Sequence, residues 1–149
     1  MINVSVRPVR PDDRDQWDRL YQGYAAFYNV EQTAEMRDRV WSWLHDEREE
    51  CRGAVAVTDE NELVGLAHFR SFARPLMATT GCFLDDLFVS QDKRGLGAAD
   101  ALVASVKAIA EKNGWSVVRW ITAENNYRAR GLYDRVASQT NWVTYDLKI

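Results

Sequence analysis

The stretch Arg94-Gly95-Leu96-Gly97-Ala98-Ala99 constrains this chain more than any other. It stands between an apolar strand pattern over residues 83–89 and a helical pattern from about Leu96 to Lys112. Asn113-Gly114 then closes that helix in the manner of a C-cap. Glycines at such a turn adopt backbone conformations that side chains resist, and they let a ligand approach the backbone. The first N–H groups of the following helix have no partner within it. Its dipole adds roughly half a positive charge at that end. The turn therefore suits a phosphate or pyrophosphate, the other reading being a glycine-rich turn that binds nothing. A P-loop needs Gly-x-x-x-x-Gly-Lys-Ser/Thr, and no such run is present. A dinucleotide fingerprint needs a small residue where the bulky, negative Asp100 stands.

Elsewhere the apolar period changes along the chain. Residues 4–9 alternate as a short strand, and Pro11-Asp12-Asp13 starts a helix with Trp17, Leu20, Tyr21 and Tyr24 at helical spacing. A second helix runs from about Thr33 with Met36, Val40, Trp41 and Leu44 on one face, and residues 45–52 read as its charged, solvated end. Residues 54–58 and 63–69 form a hairpin across a polar turn, and 72–80 read as a loop. After the long helix come a strand over 117–122, a helix over 126–135 and a final strand over 142–149. The order β-α-α-β-β-β-α-β-α-β alternates only in its second half. That predicts an α/β fold with a mixed, mostly antiparallel sheet flanked by helices rather than a doubly wound sheet.

The 149 residues suit one domain over 1–149, and 46% hydrophobic with 28% charged residues suffices for one sizeable core. A net charge of −3 argues against a sequence-independent hold on nucleic acid and fits a cationic small molecule mildly better than an anionic one. Cys51 and Cys82 have no metal-ligand spacing and read as free thiols of a reducing compartment, with no metal expected. No apolar run is long enough to span a bilayer, and Arg7, Pro8, Arg10 and Pro11 leave no secretory leader, so a cytoplasmic, membrane-free protein is expected.

Arg94-x-x-Gly97-x-Ala99 resembles the Gln/Arg-x-x-Gly-x-Gly/Ala motif by which GNAT acetyltransferases hold the pyrophosphate of acetyl-CoA. The segment from Glu124 to Tyr133 contains Asn126-x-x-Ala129-x-x-Leu132-Tyr133, similar to a segment just after the fifth strand of that family. The two lie at the family's spacing. Phe83-Leu84-Asp85-Asp86-Leu87-Phe88-Val89, with the closing Trp142 segment, is similar to the polyamine and thialysine (diamine) acetyltransferase branch. The specific resemblance covers about residues 81–149, while the first half fits only in its order of elements. Val136 departs from the glycine that the family commonly has after the tyrosine helix, where a left-handed C-cap follows.

The resemblance implies the GNAT fold, acetyl-CoA as cosubstrate and roles position by position. Backbone N–H groups from Arg94, Gly95, Leu96, Gly97, Ala98 and Ala99 would hold the pyrophosphate. The strand Leu87-Phe88-Val89 would pair with the pantetheine arm as an added strand does. Asn126 would contact that arm, although asparagine there is also a natural helix N-cap. Tyr133 would protonate the leaving thiolate, with a packed core tyrosine as the alternative. Asp85 stands where the polyamine branch has a glutamate base. A lysine-like amine near pKa 10.4 needs about 4.6 kcal/mol to lose its proton at pH 7, which gives a nearby carboxylate work to do. Asp85 and Asp86, as strand neighbours, are expected on opposite faces. His45 and His68 read as surface or structural residues.

The acceptor side carries Tyr21, Tyr24, Phe27, Tyr28, Trp41 and Trp43 with Glu31 and Glu35, aromatic rings and carboxylates that suit a cationic amine. Tyr28, Glu31 and Asp85 are the candidate acceptor contacts. The leading expectation is acetyl transfer to a primary amine of a polyamine, lysine-like amine or amino acid. The alternatives are a protein or peptide acetyltransferase, and a CoA-binding module without turnover. A homodimer is compatible with the resemblance.

Overall fold

A computed structural model describes residues 2–149. Its sheet has five strands in the order β1-β2-β3-β4-β5. They are β1 (Val4–Pro8), β2 (Arg52–Thr58), β3 (Leu63–Arg74), β4 (Thr79–Val89) and β5 (Val118–Arg119). The first four pair antiparallel, and β5 joins β4 in parallel. A parallel neighbour requires a crossover, which α3 (Ala98–Lys112) supplies. The other helices are α1 (Arg14–Phe27), α2 (Ala34–Leu44) and α4 (Tyr127–Val136). This is the mixed, helix-flanked sheet that the sequence predicts.

Helices cover both faces of the sheet, so the middle of β2 and β3 is buried without alternation. On one face Ala54, Ala56, Val64 and Ala67 meet Ala98, Leu102, Val106 and Ala110, one row along α3. Small residues in the sheet let that helix lie close. A Cβ at Gly65 would come within 2.9 Å of the Phe88 carbonyl oxygen and 3.1 Å of Leu102 Cδ1, so the site requires glycine. On the other face Val55, Leu66 and Phe88 pack against Trp17, Leu20 and Tyr21 of α1 and Leu44 of α2. Fully burying a side chain such as Leu102 contributes about 1.5–3 kcal/mol. The start of α1 is tied down by Asp13, which accepts from Arg7 Nη1 at 2.7 Å and from the Arg10 backbone N–H at 2.7 Å.

Four expectations need correction. Residues 72–80 are not a loop: β3 and β4 continue to Arg74 and Thr79, and only Pro75–Met77 and the left-handed Ala78 (φ 51°) make the turn. Phe72 and Phe83 sit cross-strand with centroids 6.0 Å apart, and Pro75 ends the ladder because it has no N–H to donate. Residues 45–52 do not extend α2, which stops at Leu44. Asp46 instead accepts from the Arg48 backbone N–H at 3.0 Å in a tight turn. β5 shrinks from the expected 117–122 to Val118–Arg119.

The fourth concerns residues 142–149, which keep an alternating pattern but form no ladder among the described residues. Trp142 is 84% exposed and Leu147 90%. A strand needs a neighbouring edge for its N–H and C=O groups, and this segment has none. Val136, by contrast, causes no strain. The chain leaves α4 through an extended Ala137 (φ −145°) whose N–H reaches the Tyr133 carbonyl at 2.9 Å, so no left-handed residue is needed. No helix among the described residues is long and apolar enough to cross a membrane.

Candidate active site

β5 pairs with β4 only at Cys82 and Phe83, so the outer edge of β4 from Leu84 to Val89 has no strand partner among the described residues. Against this open edge lies a cleft of about 550 Å³. Tyr24, Phe27 and Tyr28 of α1 form one wall, Leu87, Phe88 and Val89 a second, and Asn126, Ala129, Leu132 and Tyr133 a third. Its end is the turn through Arg94, Gly95, Gly97, Ala98, Ala99 and Asp100.

That turn is built for an anion. Gly95 (φ 89°) and Gly97 (φ 78°) are left-handed, and a Cβ at either would meet nothing within 4 Å. Glycine is thus needed there for backbone handedness, not for lack of room. Gly97 caps α3 without a side chain, and the next N–H groups have no acceptor inside the helix. Lys93, Arg94, Arg128 and Arg135 surround the opening. Asp100, the one acid of the first turn, is engaged by Arg135 Nη2 at 3.0 Å. The Arg94 guanidinium lies 5.9 Å from the Phe27 ring centroid.

Tyr133 is half-buried with its ring against Trp120, centroids 5.2 Å apart. Burial, reinforced by Tyr28, pushes its hydroxyl up to about 12. The two carboxylates do not alternate as expected. His68 pairs with Asp86 but Phe69 with Leu84, so Asp85 is an extra residue in β4. This bulge cancels the alternation and turns both side chains to the face that bears α1 and α2. Asp85 accepts from Arg70 Nε at 3.1 Å, and burial raises its carboxyl above the usual carboxylate range against the pull of that cation. Asp86 accepts from His68 Nδ1 at 2.8 Å and from the Tyr21 hydroxyl at 2.9 Å. Burial pushes its carboxyl up too, but the hydrogen bonds of His68, Tyr21 and Tyr24 outweigh this and hold it below the usual range.

Residues 17–137 match the acetyltransferase (GNAT) family. The chain is a GNAT acetyltransferase. It is 27% identical to a D-amino-acid N-acetyltransferase of Saccharomyces cerevisiae, over 97% of this chain and 92% of that one. It is 24% identical to an uncharacterised N-acetyltransferase of Bacillus subtilis, over 98% of both chains. Its fold matches a ribosomal-protein-alanine N-acetyltransferase from Brucella melitensis biovar Abortus (TM-score 0.82, 23% identity, 98% of this chain and 99% of that one). It also matches an aminoglycoside N-acetyltransferase in complex with CoA (TM-score 0.83, 16% identity, 99% of this chain and 96% of that one).

Within this GNAT enzyme the expected site residues divide plainly. Leu87, Phe88, Val89, Arg94, Gly95, Gly97, Ala98, Ala99, Asn126, Tyr133 and Tyr28 line the cleft. Leu96 does not, and its side chain is half-buried beside the turn. Glu31 is exposed beyond the end of α1 and does not line the cleft, and Asp85, paired with Arg70, does not line it either. Asn126 combines both of its readings: its Oδ1 accepts the Ala129 N–H at 3.5 Å as an N-cap, while its Nδ2 donates to the Tyr28 hydroxyl at 3.3 Å. Tyr21 and Trp41 belong to the packing around Trp17 rather than to the cleft.

His68, read from the sequence as a surface or structural residue, lies in the core (2% exposed). Sequence reasoning missed Lys93, Arg128 and Arg135. The last two share a face of α4 with Leu132, four residues after Arg128 and three before Arg135, which was the available signal. Burial pushes the Cys51 and Cys82 thiols up to about 11, so neither is a ready nucleophile.

Proposed function

We propose that this enzyme transfers the acetyl group of acetyl-CoA to the primary amine of a small molecule. What carries the reading is the convergence of the glycine turn, the unpaired edge of β4 and the Tyr133 hydroxyl on one cleft. The residues fit the cosubstrate: left-handed glycines open onto the cleft, orphan N–H groups stand by for a pyrophosphate with Arg94 and Arg128 beside them, and Leu87, Val89 and Leu132 offer an apolar trough. Bound acetyl-CoA supplies the acetyl thioester.

The chain's own groups would do the rest. N–H groups of the Arg94–Ala99 turn hold the pyrophosphate, and the outer edge of β4 at Leu87 and Val89 aligns the arm. Tyr28 and Asn126 bound the passage toward the acceptor. Asp85, its carboxyl raised by burial, receives the proton that the amine must lose. Tyr133, kept protonated by its raised pKa, gives a proton to the departing sulfur. Two carboxylates in environments that push them apart suit a division of roles.

Among small amines, the yeast relative's name adds D-amino acids to the polyamines and lysine-like amines. The test is CoA release from acetyl-CoA over a panel of D- and L-amino acids, polyamines, lysine analogues and a peptide. Turnover on one small-amine class supports the reading; turnover on the peptide alone replaces it with a protein acceptor.

We further propose a homodimer. In the final segment Val143, Tyr145, Leu147 and Ile149 make an apolar side at period two, all strongly exposed. β5 meanwhile offers a free outer edge. An unpaired edge and an unpaired apolar strand supply what a second copy needs for pairing. The reading agrees with α4, in which no residue is buried.

A further inference from the structure

One ion pair ties up a cation that the cleft has use for. Asp100 is the third residue of α3, in the first turn, whose N–H groups have no acceptor inside the helix. An acid at this position ordinarily turns back to cap the helix start, and its charge suits the dipole. Here the Gly97 cap has no side-chain hydrogen bond, and Asp100 Oδ1 instead accepts from Arg135 Nη2 at 3.0 Å. Arg135 belongs to α4, so the pair joins the helix that follows the glycine turn to the helix that carries Tyr133. Both members line the cleft.

The cations around the opening are not equally available. Lys93 Nζ lies 3.6 Å from Glu62 Oε1, and the Arg94 guanidinium lies over the Phe27 ring. Arg128 has no acid within ion-pair distance among the described residues. Arg135 differs from all three, because its acid partner itself lines the cleft. The two side chains are well exposed, Arg135 at 58% and Asp100 at 53%. Exposed pairs hold weakly, since water screens the attraction and two long side chains must be kept still. A phosphate offers the same guanidinium two oxygens and a larger charge. It would share the turn with the Asp100 carboxylate, and like charges repel.

We propose that Asp100 is a built-in rival of the cofactor's phosphates for Arg135, and so limits how tightly the cleft holds CoA. This rests on the acetyl-CoA reading above. In the empty cleft the pair keeps the guanidinium beside the glycine turn. When phosphate takes the guanidinium over, Asp100 is left as an unpaired negative charge that weakens the hold. An enzyme that must release CoA after every transfer gains from such a limit.

The test is calorimetric titration of the full chain with CoA, which needs no turnover. Asp100→Asn keeps the shape of the side chain and removes its charge. It should bind CoA ~3-fold or more tighter than wild type, and the gain should shrink as salt rises from about 0.02 to about 0.5 M. Its urea midpoint should fall slightly, because α3 loses an acid of its first turn and the pair to α4. Binding and stability then move in opposite directions. A pair that only braced α4 against α3 would lose both together.

A second arm isolates the rivalry. Arg135 contributes more once its competitor is gone, so Arg135→Gln should cost at least ~2-fold more CoA affinity in the Asp100→Asn background than in wild type. Arg128→Gln should cost the same in both. CoA affinity unchanged or weaker in Asp100→Asn overturns the proposal, as does an equal cost of Arg135→Gln in the two backgrounds or a like difference for Arg128→Gln. Should Asp100→Asn not fold, Asp100→Ser takes its place. Wild type that binds no CoA sinks the acetyl-CoA reading itself; wild type that binds it, with Asp100→Asn no tighter, sinks this inference alone.

Discussion

Replacing Tyr133 with phenylalanine removes one oxygen and leaves the ring's contact with Trp120, at 5.2 Å between centroids, intact. The cleft keeps its wall, so acetyl-CoA should bind with an unchanged KM. The hydroxyl's raised pKa of about 12 keeps it protonated at all working pH: at pH 9 roughly one molecule in 10³ is ionised. A hydroxyl that weak is also a poorer acid than a thiol near 8.5, so full transfer to the sulfur is uphill. The loss should then fall at the low end of the ~10²–10⁴ usual for acid–base help, a kcat drop of about 100-fold, or about 2.7 kcal/mol in the barrier.

The assay is CoA release at saturating amine and acetyl-CoA from pH 7 to 10, with each KM measured apart. Wild type should show no falling basic limb anywhere in this range. A variant retaining a third or more of kcat would remove Tyr133 from the chemistry. A wild-type decline centred near pH 9–10 and absent from the variant would refute the argument that burial keeps the hydroxyl protonated.

Three other perturbations test separate parts of the structure. Gly97→Ala places a methyl in open space but at φ 78°, so about 1–2 kcal/mol of stability should be lost in urea unfolding, together with a weaker acetyl-CoA KM; an unchanged midpoint refutes the handedness argument. Asp13 has a lowered pKa: burial raises it, but Arg7 and the Arg10 backbone outweigh that, so its contribution is present above the unfolded value of about 3.9 and lost as pH falls through the folded one. Urea midpoints should therefore drop below about pH 4, and Asp13→Asn should flatten that drop. Truncation after Gln139 should turn a sedimenting dimer into a monomer, and a dimer that survives it overturns the assembly proposed for the tail.

The parts legible in the sequence are those fixed by local chemistry. The glycine turn declares itself because φ above zero selects glycine, and α3 because its apolar row repeats every four residues between clear caps. Tyr133 was singled out by the resemblance of the segment from Asn126 to Tyr133 to the family's motif, since its spacing alone fits a packed core tyrosine equally. What stayed hidden depends on neighbours distant in the chain. The β3–β4 hairpin looked like a loop because Phe72 and Phe83, eleven positions apart, only become a pair once folded. The Trp17–His68–Asp86 network joins residues 51 and 18 positions apart, and no local pattern announces it. Glu31 was chosen for its charge near an aromatic cluster, but the chain leaves α1 through the left-handed Asn29 and keeps Glu31 outside.

The extra residue at Asp85 makes the frame of β4 as informative as its letters. Every position from Leu84 toward the hairpin turn points where it does only because one residue is looped out of step with β3. Deleting the Asp85 codon would restore a regular pleat while leaving Leu84 opposite Phe69 and Asp86 opposite His68, so the faces on both sides of the bulge would be kept. Deleting a codon from a regular stretch of the strand would instead turn the side chains beyond it to the other face. When relatives of this enzyme are compared, a gap placed opposite Asp86 rather than opposite Asp85 would exchange the two acids.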